Sequence, residues 1–440
     1  MTKNLTYKGE TNTKNKFIKS TFILLVGGFI TKILGLIIKV IYTRTIGIEG
    51  ITLLSLIAPT YSLLISIANF NILVSISKRI SQTNNSKKVI INSCFIMFIL
   101  NIIIITLSLL LSKYISHNLL KNPYTQYPLI ACLFTLPFIS IGYIIKGYFY
   151  GKQNTLPHMV SNVIEQLFRL LIISILLPKL IKYGPIISVT SYILFNILSE
   201  SISIIVFLFF LPKNKHITAD DIKLDYQETK EILSISIPSI SGRLLGNIGY
   251  FLEPILLTNV LLHMKLPINY ITQEYAVYNT YAIGTLLFPS FFISAISNAL
   301  LPEISYNYEH KNINQIKKRI KQSLLFSFII GSISTLAIYL FKEQILMTLY
   351  NTKKGINYIK LLSPFFILFY LEAPLSTILI GINKVNKSTI ISTTGIIIKL
   401  ITMVILGLLN FKIYSLIISE IINIIYVTTL NYITIKKELN

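Results

Sequence analysis

Residues 361–382 read Leu-Leu-Ser-Pro-Phe-Phe-Ile-Leu-Phe-Tyr-Leu-Glu-Ala-Pro-Leu-Ser-Thr-Ile-Leu-Ile-Gly-Ile, and Glu372 is the one charged side chain among them. Coiled into a helix at 1.5 Å per residue, the stretch rises about 33 Å, which matches the ~30 Å hydrocarbon core of a bilayer. A water-soluble core has no need of so long an apolar run. The whole chain follows suit: of 440 residues, 53% are hydrophobic and 13% charged, roughly half the charged share of an ordinary soluble domain. The deficit identifies lipid as the solvent.

Working outward from 361–382 on the same length scale predicts an all-α polytopic membrane protein of about twelve spans, because backbone polar groups cannot be left unpaired in hydrocarbon. The spans fall at 21–43, 52–76, 89–112, 126–148, 158–180, 185–211, 233–260, 274–300, 320–341, 357–381, 388–408 and 411–434. The first of them follows Lys14, Lys16 and Lys19 as a signal peptide would, but it is about 20 residues long with no small-residue cleavage pattern after it, so it reads as a retained span.

Net charge is +23, yet the lysines sit in the gaps between apolar runs, where topology itself demands them; no nucleic-acid partner is expected. Basic residues collect at Lys3–Lys19, at Lys78, Arg79, Lys87 and Lys88, in the 213–230 loop, at Lys311, Lys317, Lys318, Arg319 and Lys321, and at Lys436 and Lys437. Flanking positive charge stays in the cytoplasm, which predicts a multi-pass plasma-membrane protein with both termini cytoplasmic. Lys342, Lys353, Lys354 and Lys360 run against that scheme. Cys94 and Cys132 both lie in apolar runs, so neither a disulfide framework nor a thiolate metal site is expected. Asp occurs only at 220, 221 and 225, in a stretch from Thr218 to Glu231 that reads as a short amphipathic surface helix with Thr218 and Asp221 at capping-box spacing. No cofactor and no metal are implied.

An internal repeat organises the spans. Pro59 and Pro289 stand 230 residues apart, each followed about ten residues on by Asn69 or Asn298; Gly151 and Gly381, and Arg169 and Lys399, keep the same separation. The first and seventh spans align at a shorter offset, through Thr31-Lys32-Ile33-Leu34-Gly35 and Gly242-Arg243-Leu244-Leu245-Gly246. Six spans return the chain to its starting side, so the halves are parallel repeats, as in transporters. The expected organisation is an N-terminal lobe at 1–212, a cytoplasmic amphipathic linker at 213–232 and a C-terminal lobe at 233–440.

An ionised group at the bilayer centre costs at least ~2.5–3.5 kcal/mol, so each one asks for a reason. Lys32 and Lys39 lie seven apart on one face of the first span, with Gly35 between them and Gly28 one turn before. A narrow cationic stripe of this kind suits an interior cavity rather than lipid, and Arg243 is its repeat partner. Cations from both halves would then meet an anionic group such as phosphate or pyrophosphate. Arg169 stands one turn after Glu165, and the two are expected to neutralise each other. Lys399 has no acid within a turn of its own helix; a pairing with Glu200, Glu372 or Glu420, or a place on the cavity, remain open alternatives. Glu253, just before Pro254, is the acidic candidate for ion coupling or gating, and Gly35, Pro59 and Pro289 are candidates for the bending that gating needs.

These features resemble the multidrug, oligosaccharidyl-lipid and polysaccharide (MOP) exporter superfamily, and within it the stage V sporulation protein B and polysaccharide-biosynthesis flippase branch, related to the lipid II flippases. The resemblance rests on Thr31-Lys32-Ile33-Leu34-Gly35, on Tyr42-Thr43-Arg44-Thr45-Ile46-Gly47-Ile48-Glu49-Gly50, on Ala58-Pro59-Thr60-Tyr61 and on Ser75-Ile76-Ser77-Lys78. Lys146-Gly147-Tyr148-Phe149-Tyr150-Gly151 adds a similar Gly-x-x-x-Gly spacing. It implies a MATE-like fold of two six-helix lobes that open alternately to either side, not an enzyme. It implies a cargo of polyprenyl-pyrophosphate-linked saccharide for peptidoglycan or polysaccharide synthesis, with a sporulation or cell-wall role. It also implies transport driven by a coupling ion, H+ or Na+, or by the membrane potential. In the family, cations of the first span and of the second lobe face the cavity, which carries over onto Lys32, Lys39 and Arg243; Lys399 and Arg169 are further candidates for the anionic headgroup. The longest members have two extra C-terminal spans that this sequence does not show, so a lipid-tail groove built from them is not expected. Two rival readings are a multidrug cation antiporter of the same superfamily, which generally uses a membrane carboxylate in the first lobe, and a membrane-embedded glycosyltransferase or polymerase, which would need clustered carboxylates or histidines on a sizeable outer loop.

Overall fold

A computed structural model describes residues 2–83, 85–212 and 224–439, with side chains from Val26 onward. The capping pair Thr218 and Asp221 therefore lies outside the described residues. Every element is a helix among them: α1 (Thr2–Asn69), α2 (Ile72–Gln82), α3 (Ser86–Tyr114), α4 (Gln126–Gly151), α5 (Leu156–Leu180), α6 (Pro185–Phe210), α7 (Tyr226–His263), α8 (Ile268–Leu286), α9 (Ser290–Glu309), α10 (Ile313–Leu340), α11 (Lys342–Tyr350), α12 (Ile356–Gly381), α13 (Val385–Leu408) and α14 (Tyr414–Leu439). Short π- and 3-10 turns join or interrupt some of them.

Ten of the described helices are long and apolar enough to cross a membrane, or eleven when the bent pair α8–α9 is counted as one span. The expected figure of twelve differs for a physical reason. Val26–Gln82 counts as one helical stretch of 57 residues, about 85 Å if straight, far more than one ~30 Å core requires. Gly47 divides it, with φ +64° and ψ −176°, a left-handed conformation that glycine adopts without steric penalty. The apolar surface confirms the solvent: Phe98, Leu110 and Phe209 are 65%, 75% and 78% exposed, values that only lipid makes tolerable for a row of such side chains.

The chain forms two compact units. Unit 1 holds Met1–Ile46, Thr60–Asn118 and Asn122–Leu244; unit 2 holds Gly47–Pro59, Leu119–Lys121 and Leu245–Asn440. Gly47 and Pro59 thus bound the piece of α1 that belongs to unit 2, where Ser55 and Thr280 share a hydrogen bond of 2.7 Å. Unit 1 has cores around Ile72, Ile76, Ile80, Phe149 and Phe207, and around Leu64, Ala68, Leu133 and Leu136. Unit 2 has one around Ile304, Ile316, Ile378, Leu379 and Val427. Helices that share lipid as solvent gain little from apolar contact alone, and serine pairs supply hydrogen bonds between them: Ser161 with Ser203 and Ser75 with Ser236, both at 2.6 Å, and Ser376 with Ser388 at 2.8 Å.

The repeat is visible in detail. α4 and α12 are each 26 residues long and end at Gly151 and Gly381. After each, the chain turns identically, with Gln153 and Asn383 at φ +53° and +59° and with Asn154 and Lys384 donating to the carbonyls of Phe149 and Leu379. A Cβ on Gly151 would sit 2.7 Å from Cβ of Ile80 on α2, and one on Gly381 2.7 Å from Cγ2 of Ile304 on α9. Both glycines are there because the neighbouring helix touches the backbone.

Some boundaries depart from the sequence reading. The predicted span 52–76 is broken at Phe70 and Asn71, both at positive φ, and Asn71 donates to the Ser239 carbonyl at 3.1 Å. The predicted span 274–300 is broken as well: α8 passes through a π-turn at Val277–Ile283, stops at Leu286 and resumes in α9 after a 55° bend. The predicted loop after the ninth span holds α11. α7 begins at Tyr226, seven residues before the predicted 233, because Asp225 accepts from the N–H groups of Gln227 and Glu228 and caps it. The Glu228 N–H foremost, with Lys88 at 3.4 Å, holds the Asp225 carboxyl below the usual carboxylate range, so the ionised cap persists through that range as pH falls and is lost only as pH drops through the lowered value.

The glycine contacts make a stability prediction. Gly151→Val and Gly381→Val should each destabilise the protein by about 1–3 kcal/mol, as overpacking does, whereas Gly35→Ala and Gly246→Ala, whose added methyls meet nothing within 4 Å, should not. Thermal denaturation in detergent followed by size-exclusion recovery measures this; equal losses at all four positions would contradict it.

Candidate functional site

In unit 1 the cationic stripe is built on α1. A Cβ added at Gly28 or Gly35 meets no atom within 4 Å, while one at Gly27 runs into Met159 of α5. One side of α1 therefore packs on α5, and the side with Gly28, Lys32 and Gly35 faces open space. Lys32 is exposed there and Lys39, one heptad on, is half-buried. Arg243, on α7 but still within unit 1, is exposed, and neither it nor Lys32 has an ion-pair partner among the described residues. α7 repeats the arrangement in unit 2: Gly246 is open and Gly249 abuts Ile396 of α13.

The expected Arg169–Glu165 pair is present, Nη2 donating to Oε1 at 2.9 Å, and Nε donates to Ser199 of α6 at 3.1 Å. The neighbouring Glu200 was not among the expected site residues. Its Oε2 is buried with no hydrogen-bond partner, 3.3 Å from the place a Cβ on Gly142 would take. The signal for it was there, a lone acid in the apolar α6, which intramembrane placement makes a functional candidate by default.

In unit 2, Lys399 of α13 resolves its open alternatives. Its ammonium lies 2.5 Å from Glu253 Oε2 of α7 and also pairs with Glu420 of α14, with side chains 13%, 6% and 12% exposed for lysine, Glu253 and Glu420. Tyr278 of α8 donates to Glu420 at 3.4 Å. Of the other acids considered, Glu200 lies in unit 1, and Glu372 of α12 makes no ion pair among the described residues. Two carboxylates around one ammonium leave an excess of one negative charge when all three are ionised, and one proton removes it. In unit 1 the repeat counterpart of Lys399 is Arg169 with its single acid Glu165, and elsewhere in that unit Tyr42 packs on Tyr192 with ring centroids 4.7 Å apart.

The bending candidates are placed as follows. Pro59 is buried inside α1, and Pro289 is buried at the head of α9, at the 55° bend. The two prolines share a repeat position but not a conformation, since only the second interrupts its helix. No group of three or more His, Cys, Asp or Glu side chains able to hold a metal ion occurs among the described residues.

Residues 17–308 match the model of the polysaccharide biosynthesis protein family, and residues 276–409 match that of MatE. Stage V sporulation protein B of Bacillus subtilis (strain 168) is 29% identical over 398 residues, covering 88% of this chain and 77% of that protein. Lipid II flippase MurJ of the same organism is 23% identical, covering 88% and 76%. Among solved structures, a multidrug resistance MATE family transporter of the MOP superfamily superposes with a TM-score of 0.79 at 17% identity, covering 93% of this chain and 94% of that one. A MOP superfamily transporter from Pyrococcus furiosus Vc1 (DSM3638) gives 0.68 at 16%, covering 97% and 96%. At those identities the likeness establishes the fold, while the family match and the flippase relatives establish a transporter and not an enzyme. The chain is a multi-pass membrane protein that belongs to the polysaccharide biosynthesis protein family, in the MOP superfamily of transporters and flippases.

Proposed function

We propose that this protein flips a polyprenyl-pyrophosphate-linked saccharide, a precursor of peptidoglycan or another polysaccharide, across the plasma membrane by alternating access, with both termini in the cytoplasm. The moving bodies in this reading are the N-terminal lobe (1–212) and the C-terminal lobe (233–440), with 213–232 as their linker. The observation that supports the cargo best is the open glycine face of α1, which presents Lys32 beside Gly28 and Gly35, with a further exposed cation at Arg243. A pyrophosphate carries at least two negative charges, and lysine and arginine donors without acidic partners suit it. Lys39 extends the stripe. Arg169 and Lys399 have carboxylate partners already, so their part is to hold helices and charge balance rather than to bind the headgroup first. The names of the relatives, a sporulation protein and a lipid II flippase, agree with such a cargo.

The driving ion in this reading is the proton. Lys399 occupies the position between Glu253 and Glu420 that a sodium ion would need, so the variable charge of the triad is a proton on one of the carboxylates. Glu253 then serves coupling as one wall of the triad, and Gly35, Pro59 and Pro289 supply room and bending. A second reading, a cation antiporter, draws on the unpartnered Glu200 carboxylate in unit 1.

Two outcomes follow. Purified protein should bind a polyprenyl-pyrophosphate saccharide, and Lys32→Ala, Lys39→Ala and Arg243→Ala should each weaken it roughly 10- to 100-fold, the loss of a charge-assisted contact of about 1.5–3 kcal/mol. Binding of a cationic dye alone, abolished by Glu200→Gln, would put the antiporter reading in its place. In proteoliposomes a proton gradient, not a sodium gradient, should accelerate transport, and Glu420→Gln should remove that acceleration while leaving a neutral Lys399–Glu253 pair. Lys399→Met, which strands two buried carboxylates, should cost about 3–5 kcal/mol of stability. Sodium-driven transport by the wild type, or a Glu420→Gln protein that still responds to protons, would refute the assignment.

A further inference from the structure

Outside the regions discussed above, unit 2 carries a groove of about 530 Å³ between α10, α12 and α14. Its walls are graded along their length. On α10, Lys317 and Lys321 lie one turn apart near the start of the helix, and Leu324, Leu325 and Phe328 continue the same side of it; on α14, Lys436 sits near the end, beside Ile435 and Tyr432; Leu371 and Leu375 of α12 form the floor. From Lys317 to Phe328 the groove extends about 16 Å at 1.5 Å per residue, close to half of a ~30 Å hydrocarbon core. It has the depth of one lipid leaflet, with charge at one end and hydrocarbon along the rest.

The three lysines have no acid to answer them. Neither Lys317, Lys321 nor Lys436 makes an ion pair among the described residues: Glu438 is engaged by Lys384 and Lys387, Glu303 by Arg319, and Glu309, exposed at the end of α9, pairs with none of them. Lys317 and Lys321 are like charges at i and i+4, which repel on a helix. An anion at their end of the groove relieves that repulsion, while Leu325 at 53% exposure and Phe328 at 49% leave the apolar wall uncovered.

We propose that this groove binds an anionic phospholipid of the surrounding membrane, with its phosphate among Lys317, Lys321 and Lys436 and one acyl chain along Leu324, Leu325, Phe328 and Leu371. Clustered basic residues between helix ends on the cytoplasmic side are the chemistry by which membrane proteins hold such headgroups. Tyr432, amphipathic at the same level, suits the interface. The site is independent of the transported cargo, so it stands or falls without the flippase reading.

Native mass spectrometry of the full chain, delipidated in detergent and given dioleoylphosphatidylglycerol or dioleoylphosphatidylcholine, tests it. The phosphatidylglycerol adduct should be retained at least fivefold more than the phosphatidylcholine one, and should weaken as salt rises. Combined Lys317→Gln, Lys321→Gln and Lys436→Gln should erase the preference, and Leu325→Trp, which fills an exposed wall without touching a buried side chain, should lower the occupancy of both lipids. Equal retention of the two lipids by the wild type, an unchanged preference in the lysine variant, or one-for-one displacement of phosphatidylglycerol by an added polyprenyl phosphate would overturn the proposal. Should the triple variant fail to fold, the salt dependence and Leu325→Trp decide alone.

Discussion

Hydrocarbon offers no hydrogen bonds and no solvation of charge, and that constraint shapes everything in this protein. It makes helix the form of every described element, since only a helix satisfies its own backbone. It removes the hydrophobic effect as a force between helices, so close approach at Gly151 and Gly381 and serine pairs such as Ser161–Ser203 take over the work of packing. It also sorts the charges. Arg169 and Lys399 are tied to acids within their own units, and the unpartnered Lys32 occupies a face that glycine keeps clear.

The two units use one helical plan for different purposes. Their fourth helices match in length, cap and packing, yet the places that correspond around α1 and α7 hold different chemistry. Unit 1 pairs Arg169 with the single acid Glu165, while in unit 2 Lys399 sits between two, Glu253 and Glu420. Unit 2 also carries a 55° bend at Pro289 after a π-turn, whereas the helix runs through Pro59 and breaks only later, at Phe70–Asn71. A three-charge cluster and a broken helix in the same unit are the features on which the proposed coupling draws.

What the sequence made legible follows from the range of the interactions. Span existence, the Glu165–Arg169 pair and the glycine positions are local or periodic properties, readable from spacing of a few residues. The turn at Phe70–Asn71 shows locally only in Asn69 and Asn71, residue types that tolerate turns without forcing them, and it is held by Ser239, far away in the chain. The 55° bend before α9 interrupts an apolar run whose hydropathy gives no sign of it beyond Pro289. The Lys399 triad was half legible: Glu420, on the next helix, was one of three acids left open, whereas Glu253, on α7, was not offered as a partner, and only packing selects the two. Glu200 was present as a signal but lacked a partner to give it meaning.

The central claim is that the glycine-lysine face of α1 serves an anionic lipid-linked saccharide that crosses the bilayer. The most direct measurement is flipping itself: proteoliposomes loaded with a polyprenyl-pyrophosphate saccharide on one leaflet, with its arrival on the other scored by an impermeant enzyme that modifies the exposed sugar. The account predicts transfer well above protein-free vesicles for the wild type and transfer near that background for Lys32→Ala. Transfer at the wild-type rate by Lys32→Ala, or none by a folded wild-type protein, would contradict it.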